Sequence, residues 1–318
     1  MKALFFLTMK QLSFLLIAAI TLFSGCNSSK NSEQAEAKKI VIGATMLSMQ
    51  SEYIVNLSDE MQKKAEEMGV ELILVDAERS ALKQIEQVES FIAQKVDVII
   101  LNPCEVEASS PAVAKALAAK IPIINVNSAT ATPPTAFVGS NDTEAGRMAM
   151  KLIAKKLNGK GNVVMIHGFM GQTAQIQREK GAKEILKQYP NLKLIAQQAG
   201  DWDRAKGLDL MENWIQSYGK DINAVFAQND EMGMGALKAL QNAGLKDNVL
   251  LVSIDAIADA LQAVKKGELD ATILQNSQKQ GAGAIETAVK MAKGQPYEKE
   301  LLIPFQLITK ENINSFLK

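Results

Sequence analysis

The sequence predicts an α/β protein of two lobes, each a doubly wound parallel sheet. Three observations predict it. Short apolar runs alternate with amphipathic stretches along nearly the whole chain. The runs are near-continuously apolar rather than alternating, as in strands buried on both faces by helices. The rhythm breaks near residue 140, which separates two series of similar length. The similarity between the series is architectural; no tandem repeat is visible.

The chain opens on Met1–Gly25, where Lys2 and Lys10 precede an apolar core, Leu12–Phe23. That core has signal-peptide length and is too short for an ordinary membrane span. Leu22-Phe23-Ser24-Gly25-Cys26 resembles a lipobox, with Phe23 where Leu is usual. Cys26 is therefore the expected lipidation site, because Gly25-Cys26 falls where the apolar run stops. Residues 26–38 are polar and aperiodic, and read as a flexible tether.

From Lys39 the elements follow in order. Ile40–Met46 reads as a strand and Tyr53–Met68 as a helix, stopped by Gly69. Val70–Val75 is a strand, Ser80–Gln94 a helix, and Val96–Leu101 a strand ending in Asn102-Pro103. Ala108–Ala119 is a helix, Ile121–Val126 a strand ending in Asn127. After the loop Ser128–Pro134, Phe137–Gly139 is extended. Asp142 or Thr143 is the expected cap of a helix to about Leu157.

The second series runs Asn162–Ile166 (strand), Thr173–Tyr189 (helix), Leu192–Gln197 (strand), Asp203–Tyr218 (helix) and Ala224–Ala227 (strand). Glu231–Ala243 is a helix, Val249–Ile254 a strand ending in Asp255, and Ile257–Lys266 a helix. Ala271–Leu274 is a strand ending in Gln275-Asn276. A helix from about Gln278 to Lys293 and one extended piece, Leu301–Ile308, complete it.

Ligands in open α/β sheets sit beyond the carboxyl ends of the strands. Five strands here end on Asn102, Asn127, Asn229, Asp255 and Gln275, and Tyr53, Trp202 and Arg178 lie at helix starts or in loops. Amides, one carboxylate and one guanidinium satisfy several hydroxyls, while aromatic rings cover an apolar sugar face. A few placed polar groups in a concave, aromatic-walled site make an ordinary small-ligand site. Each residue also has a local role open to it: Asn and Asp after strands are turn formers and caps, and Arg178 fits a solvated helix face. Asp201 and Asp203 are expected to cap the following helix.

Composition narrows the classes. The 318 residues hold 35 basic and 35 acidic side chains, so nothing points to nucleic acid. A single histidine, His167, argues against metal centres and histidine-based catalysis, and no nucleophile–base pair is visible. No cofactor and no metal are expected, and His167 is read as a local hydrogen-bonding group. Cys26 and Cys104 occur in unlike contexts, so no disulfide is expected, and Cys104 reads as a reduced, partly buried thiol. Gly281-Ala282-Gly283-Ala284 lies inside a helical pattern and does not fit a phosphate loop.

From Lys39 onward the chain resembles periplasmic sugar-binding proteins of the ribose-receptor type, the type I solute receptors of ABC importers. The resemblance rests on Asp201–Leu208 (DWDRAKGL), Ala224–Met232 (AVFAQNDEM) with Gly235-Ala236-Leu237, Ile100–Pro103, Ile121–Ile124, and Arg178 three residues before Gly181. It implies the type I periplasmic-binding-protein fold, with three chain crossings near Ser140, Asn276 and Pro304–Gln306. The implied lobes are residues 39–140 plus 276–304, and 141–275 plus 305–318. It also implies that Asn102, Arg178, Trp202, Asn229, Asp255 and Gln275 line the cleft.

The chain departs from that family in the first lobe. Asn127-Ser128 replaces an Asp-Arg pair, Leu47 and Ser51 replace polar contacts, and Tyr53-Ile54 replaces two stacking Phe. Leu47, Ser51 and Ser128 are therefore possible additional ligand contacts. The expected ligand is a small neutral sugar or polyol other than plain ribose. The resemblance implies a monomer that meets ABC permease subunits in the cell envelope or periplasm and touches the membrane through its lipid anchor alone. A receptor for a sugar-like signal, such as a furanose autoinducer or a chemotaxis ligand, is the alternative. An enzyme is disfavoured. A sugar-sensing repressor would need a DNA-binding helix-turn-helix where this chain carries an export signal.

Overall fold

A computed structural model describes residues 39–317; the signal segment, Cys26 and the tether lie outside the described residues. The first series comprises β1 (Val41–Met46), α1 (Glu52–Glu67), β2 (Glu71–Asp76), α2 (Ala81–Gln94), β3 (Val98–Leu101), α3 (Ser110–Ala118), β4 (Ile123–Val126) and β5 (Ala136–Gly139). The second comprises α4 (Asp142–Lys156), β6 (Lys160–His167), α5 (Thr173–Leu186), β7 (Asn191–Ala199), α6 (Arg204–Tyr218), β8 (Ala224–Ala227), α7 (Asp230–Asn242), β9 (Leu250–Asp255), α8 (Ala258–Lys266) and β10 (Ala271–Leu274). The chain closes with α9 (Ser277–Ala292), β11 (Glu300–Leu302) and β12 (Gln306–Thr309).

Two six-stranded sheets result. The first has the order β11-β5-β4-β3-β1-β2 and is parallel throughout. The second has the order β12-β10-β9-β8-β6-β7 and is parallel except for β12, which runs antiparallel to β10. In β3, Val98 and Ile100 face a core built with α1 and α9, while Ile99 and Leu101 face α2 and α3. In β8, Val225 and Ala227 face α6, α7 and α8, while Ala224 and Phe226 face α4 and α5. Side chains on successive residues point to opposite faces, so a strand covered on both sides must be apolar at every position. That is why the strands read as unbroken apolar runs.

The final extended piece differs from its reading. Leu301–Ile308 is two strands in two sheets, parted at Pro304. Proline has no N–H to donate to a ladder, and the chain leaves the first sheet there. It also passes between the sheets at Ser140-Asn141 and Gln275-Asn276. At α4 the cap is Asn141, whose side chain accepts from the Glu144 amide, not Asp142 or Thr143. Asp142 is buried and turned to another use.

Helices α4 and α5 approach unusually closely. A Cβ on Gly146 would lie 2.0 Å from the Arg178 carbonyl oxygen, and one on Gly181 would lie 2.0 Å from the Thr143 carbonyl oxygen. Only glycine tolerates that approach. It brings the start of α4 beside Arg178.

Candidate functional site

A cavity lies where the carboxyl ends of both sheets meet. The loop after β1 contributes Leu47, Ser48 and Ser51; α1 contributes Tyr53 and Ile54; the turn after β2 contributes Arg79; and the end of β4 contributes Asn127. The opposite wall holds Gln172, Ala174, Arg178 and Trp202, with Asn229, Asp255 and Gln275 from the ends of β8, β9 and β10. The lobes touch around it. Thr173 Oγ1 donates to the Ala129 carbonyl at 2.9 Å, and the Val106 amide donates to the Gly171 carbonyl at 2.9 Å. The Ala258 amide at the start of α8 donates to Glu52 Oε1 at 2.9 Å.

Arg178 organises the second wall. Its Nε donates to Asp142 Oδ1 at 2.8 Å, Nη1 to the Gln228 carbonyl, and Nη2 to Gln275 Oε1 at 2.8 Å. The guanidinium also stands 5.6 Å from the Trp202 ring centroid, within cation–π range. Gln275 thus spends its oxygen on Arg178, and among the described residues its Nε2 has no partner. Asp255 Oδ1 is 4.0 Å from Arg178 Nη1. Burial pushes the Asp255 carboxyl well above its ordinary range, and the Arg178 charge opposes that shift.

Asn229 fills both roles the sequence left open. Its Oδ1 accepts from the Met232 amide at 3.0 Å and caps α7, while the residue also stands on the cavity wall. Next to it, Asp230 is fully buried and accepts from Ser253 Oγ, Thr272 Oγ1 and the Ile257 amide. Burial raises its carboxyl to about 6, against those hydrogen bonds. Trp202 Nε1 donates to Gln172 Oε1 at 2.7 Å, and its ring lies where a Cβ on Gly168 would be.

On the first wall, the Tyr53 hydroxyl accepts from Asn127 Nδ2 at 3.2 Å and donates to Gln280 Oε1 at 2.9 Å. Burial, then the Asp255 charge, raises the Tyr53 hydroxyl well above its ordinary value.

Backbone strain gathers at this site. Arg79, Asn127, Trp202 and Asp255 line the cavity with φ of 64°, 66°, 60° and 134°. Such conformations cost about 1–3 kcal/mol each for residues other than glycine and cluster at functional sites.

The structure brings Tyr53, Asn127, Arg178, Trp202, Asn229, Asp255 and Gln275 together on the wall, with Leu47 and Ser51. Asn102 and Ser128 are fully buried and stand off the wall. Asn102 Oδ1 accepts from the Leu47 amide at 3.1 Å, and its Nδ2 donates to the Val126 carbonyl at 3.1 Å. It ties three strand ends together and leaves the surface to Asn127. Sequence reasoning missed Ser48, Arg79, Gln172 and Ala174, and it singled out Ile54 only as a replacement for a stacking Phe. The strand-end pattern extends to Arg79, which lies in the turn after β2, three residues beyond its last residue, Asp76.

The other expectations resolve locally. Asp203 caps α6 through the Lys206 amide at 2.9 Å, whereas Asp201 pairs with Lys206 Nζ at 2.6 Å. His167 Nδ1 lies 3.2 Å from Gln228 Nε2. Cys104 is fully rather than partly buried, and burial pushes its thiol up to about 12. Gly281 and Gly283 sit within α9, packed against α1 and Leu301.

Comparison with known proteins agrees with this architecture. The family model described as a periplasmic binding protein domain matches residues 42–296. The chain is 36% identical over 292 residues to the xylitol-binding protein of Mycolicibacterium smegmatis, covering 92% of this chain and 82% of that protein. It is 33% identical over 308 residues to the ribose import binding protein of Bacillus subtilis, covering 95% and 99%. A solved ABC transporter solute-binding protein from Bacillus halodurans with bound myo-inositol superposes with a TM-score of 0.84. It is 38% identical, covering 87% of this chain and 97% of that one.

Proposed function

Because the chain belongs to the periplasmic binding protein domain family, we propose that it captures a small neutral sugar or polyol for an ABC importer and hands it to a membrane permease. One observation supports this most directly. The cavity closed between the lobes presents hydrogen-bonding groups from both sides, including an unpartnered buried donor, Gln275 Nε2. Hydroxyl groups both donate and accept. A polyol therefore suits a wall that offers the Asp255 carboxyl group beside the Asn229, Asn127 and Gln275 amides.

In this reading Tyr53, Asn127, Arg178, Trp202, Asn229, Asp255 and Gln275 contact the ligand, with Leu47 and Ser51 at the first wall. Arg178 acts through what it holds, since Asp142, Gln228 and Gln275 already accept from it. Residues 39–140 with 276–304, and 141–275 with 305–318, move as two bodies about the three crossings. Hinges of this kind are a few residues at element ends.

Isothermal titration calorimetry with myo-inositol, xylitol and D-ribose tests the proposal. Micromolar binding of myo-inositol or xylitol, about 8 kcal/mol, supports it; tight binding of D-ribose refutes the reading of Asn127-Ser128 and the other first-lobe replacements, and no heat from any of the three overturns the proposal. Export and anchoring at Cys26 belong to the same reading. Cys26→Ser is expected to move the protein from the membrane pellet to the soluble fraction, and a variant that still pellets refutes the anchor.

A further inference from the structure

The chain has four arginines. Three are committed to carboxylates: Arg147 to Glu144 and Glu184, Arg178 to Asp142, and Arg204 to Glu231 and Asp259. Arg79 is not. Among the described residues its guanidinium makes no hydrogen bond and no ion pair, yet it is half-buried and lines the cavity between the lobes. Among the described residues it is also the one charged residue that the first lobe places on that wall, where β4 contributes the uncharged Asn127.

The turn that carries it is built, not loose. Glu78 and Arg79 both have left-handed backbones, with φ of 52° and 64°. Each such residue costs roughly 1–2 kcal/mol unless its surroundings hold it. Here Asp76 holds it, accepting from the Glu78 amide at 2.7 Å and the Met49 amide at 3.3 Å. The Arg79 amide donates to the Leu47 carbonyl at 2.8 Å. The turn is thereby fastened to the loop after β1, which supplies Leu47, Ser48 and Ser51 to the same wall.

A planar guanidinium with five N–H donors matches two neighbouring oxygens at once, which an ammonium does not. The facing arginine has less of its fork to offer, since three of its five N–H groups, on Nε, Nη1 and Nη2, already donate to protein acceptors. We propose that Arg79 is a specificity-determining contact of the first lobe, its fork donating to two adjacent hydroxyl oxygens of the bound polyol. Ligands with a vicinal diol turned toward the first lobe are then preferred over analogues lacking either hydroxyl. This rests on the cavity being the ligand site.

The test is calorimetry on the wild type, Arg79→Ala, Arg79→Lys and Asp255→Ala. The probes are myo-inositol, xylitol and D-ribose, together with monodeoxy derivatives of whichever binds tightest. Loss of a charged hydrogen bond implies that Arg79→Ala weakens the tightest probe about tenfold or more. The wild type's preference for that probe over at least one monodeoxy derivative should fall toward unity. Arg79→Lys keeps the charge but not the fork and should lose the same preference. Apo melting should change little, because no hydrogen bond or ion pair among the described residues is removed. If Arg79→Ala keeps wild-type affinity and selectivity while Asp255→Ala weakens binding, the role of Arg79 is refuted and the cavity reading stands. If Arg79→Lys behaves as wild type, the two-oxygen fork is refuted. If Asp255→Ala also changes nothing, or no probe binds the wild type, the cavity reading falls and this inference falls with it.

Discussion

Tyr53 and Gln280 stand 227 positions apart in sequence, and their side chains meet in a 2.9 Å hydrogen bond. The bond is one link in a longer chain. Asn127 donates to Tyr53, Tyr53 to Gln280, Gln280 Nε2 to Ser140 Oγ at 2.9 Å, and Ser140 Oγ to the Ile303 carbonyl at 2.6 Å. It runs from the cavity wall to two of the segments that cross between the sheets. All the side chains in it are buried, so each lost partner leaves a polar group without water.

Gln280→Leu is therefore expected to destabilise the apo protein by about 1–3 kcal/mol, the cost of stranding a buried donor or acceptor. Chemical denaturation measures it. A variant as stable as the wild type would show that the chain contributes nothing to folding.

Asp255→Ala is expected to reduce ligand affinity by about 2–5 kcal/mol, as truncation of one partner in a buried charged contact does. Apo stability should change little, because Arg178 keeps Asp142 as its ion-pair partner. Titration of the tightest-binding polyol reads the first expectation, and thermal melting without ligand reads the second.

Gly146→Ala is expected to disturb the site without touching it. The new methyl group would meet the Arg178 carbonyl oxygen at 2.0 Å, and α5 must shift to admit it. Overpacking of this sort costs typically about 1–3 kcal/mol, and the shift also draws Arg178 from Asp142 and Gln275. Both a lower melting temperature and weaker binding are expected; melting alone would mean that α5 yields without moving Arg178.

Asp230 makes stability depend on pH. Its folded-state carboxyl titrates near 6, above the ordinary aspartate value, because it is buried. Between about pH 4 and 6 the folded state holds a proton that the unfolded state has released, so the contribution of this group to stability falls as pH rises through that window. At pH 7 the folded state bears the full cost of the buried charge. Asp230→Asn should flatten this slope, and melting curves of both proteins from pH 4 to 7 check it. Parallel curves would refute the assignment.

The helix–strand order was legible from residue 39 onward because burial on both faces leaves an unambiguous mark, an apolar run between polar stops. Most of the wall was legible for a related reason, since Asn127, Asp255 and Gln275 each follow such a run at once and Asn229 follows one after Gln228. Arg79 and Gln172 do not follow a run directly. Their place on the wall depends on left-handed turns and on the other lobe, which no local pattern encodes. The split of Leu301–Ile308 was hidden because both halves are apolar and extended, and only pairing partners distinguish them.

By itself, then, the sequence determined two wound sheets and the polar residues at their rims, since both follow from local periodicity and short-range turn chemistry. Tertiary structure alone decided which rim residues face the cavity. Asn102 turned inward to bind Leu47 and Val126, Asp142 turned to Arg178 rather than capping its helix, and Arg79 entered the wall with no polar partner among the described residues. Those outcomes were settled by side chains competing for hydrogen-bond partners across long sequence separations, where burial makes every unmet donor or acceptor costly.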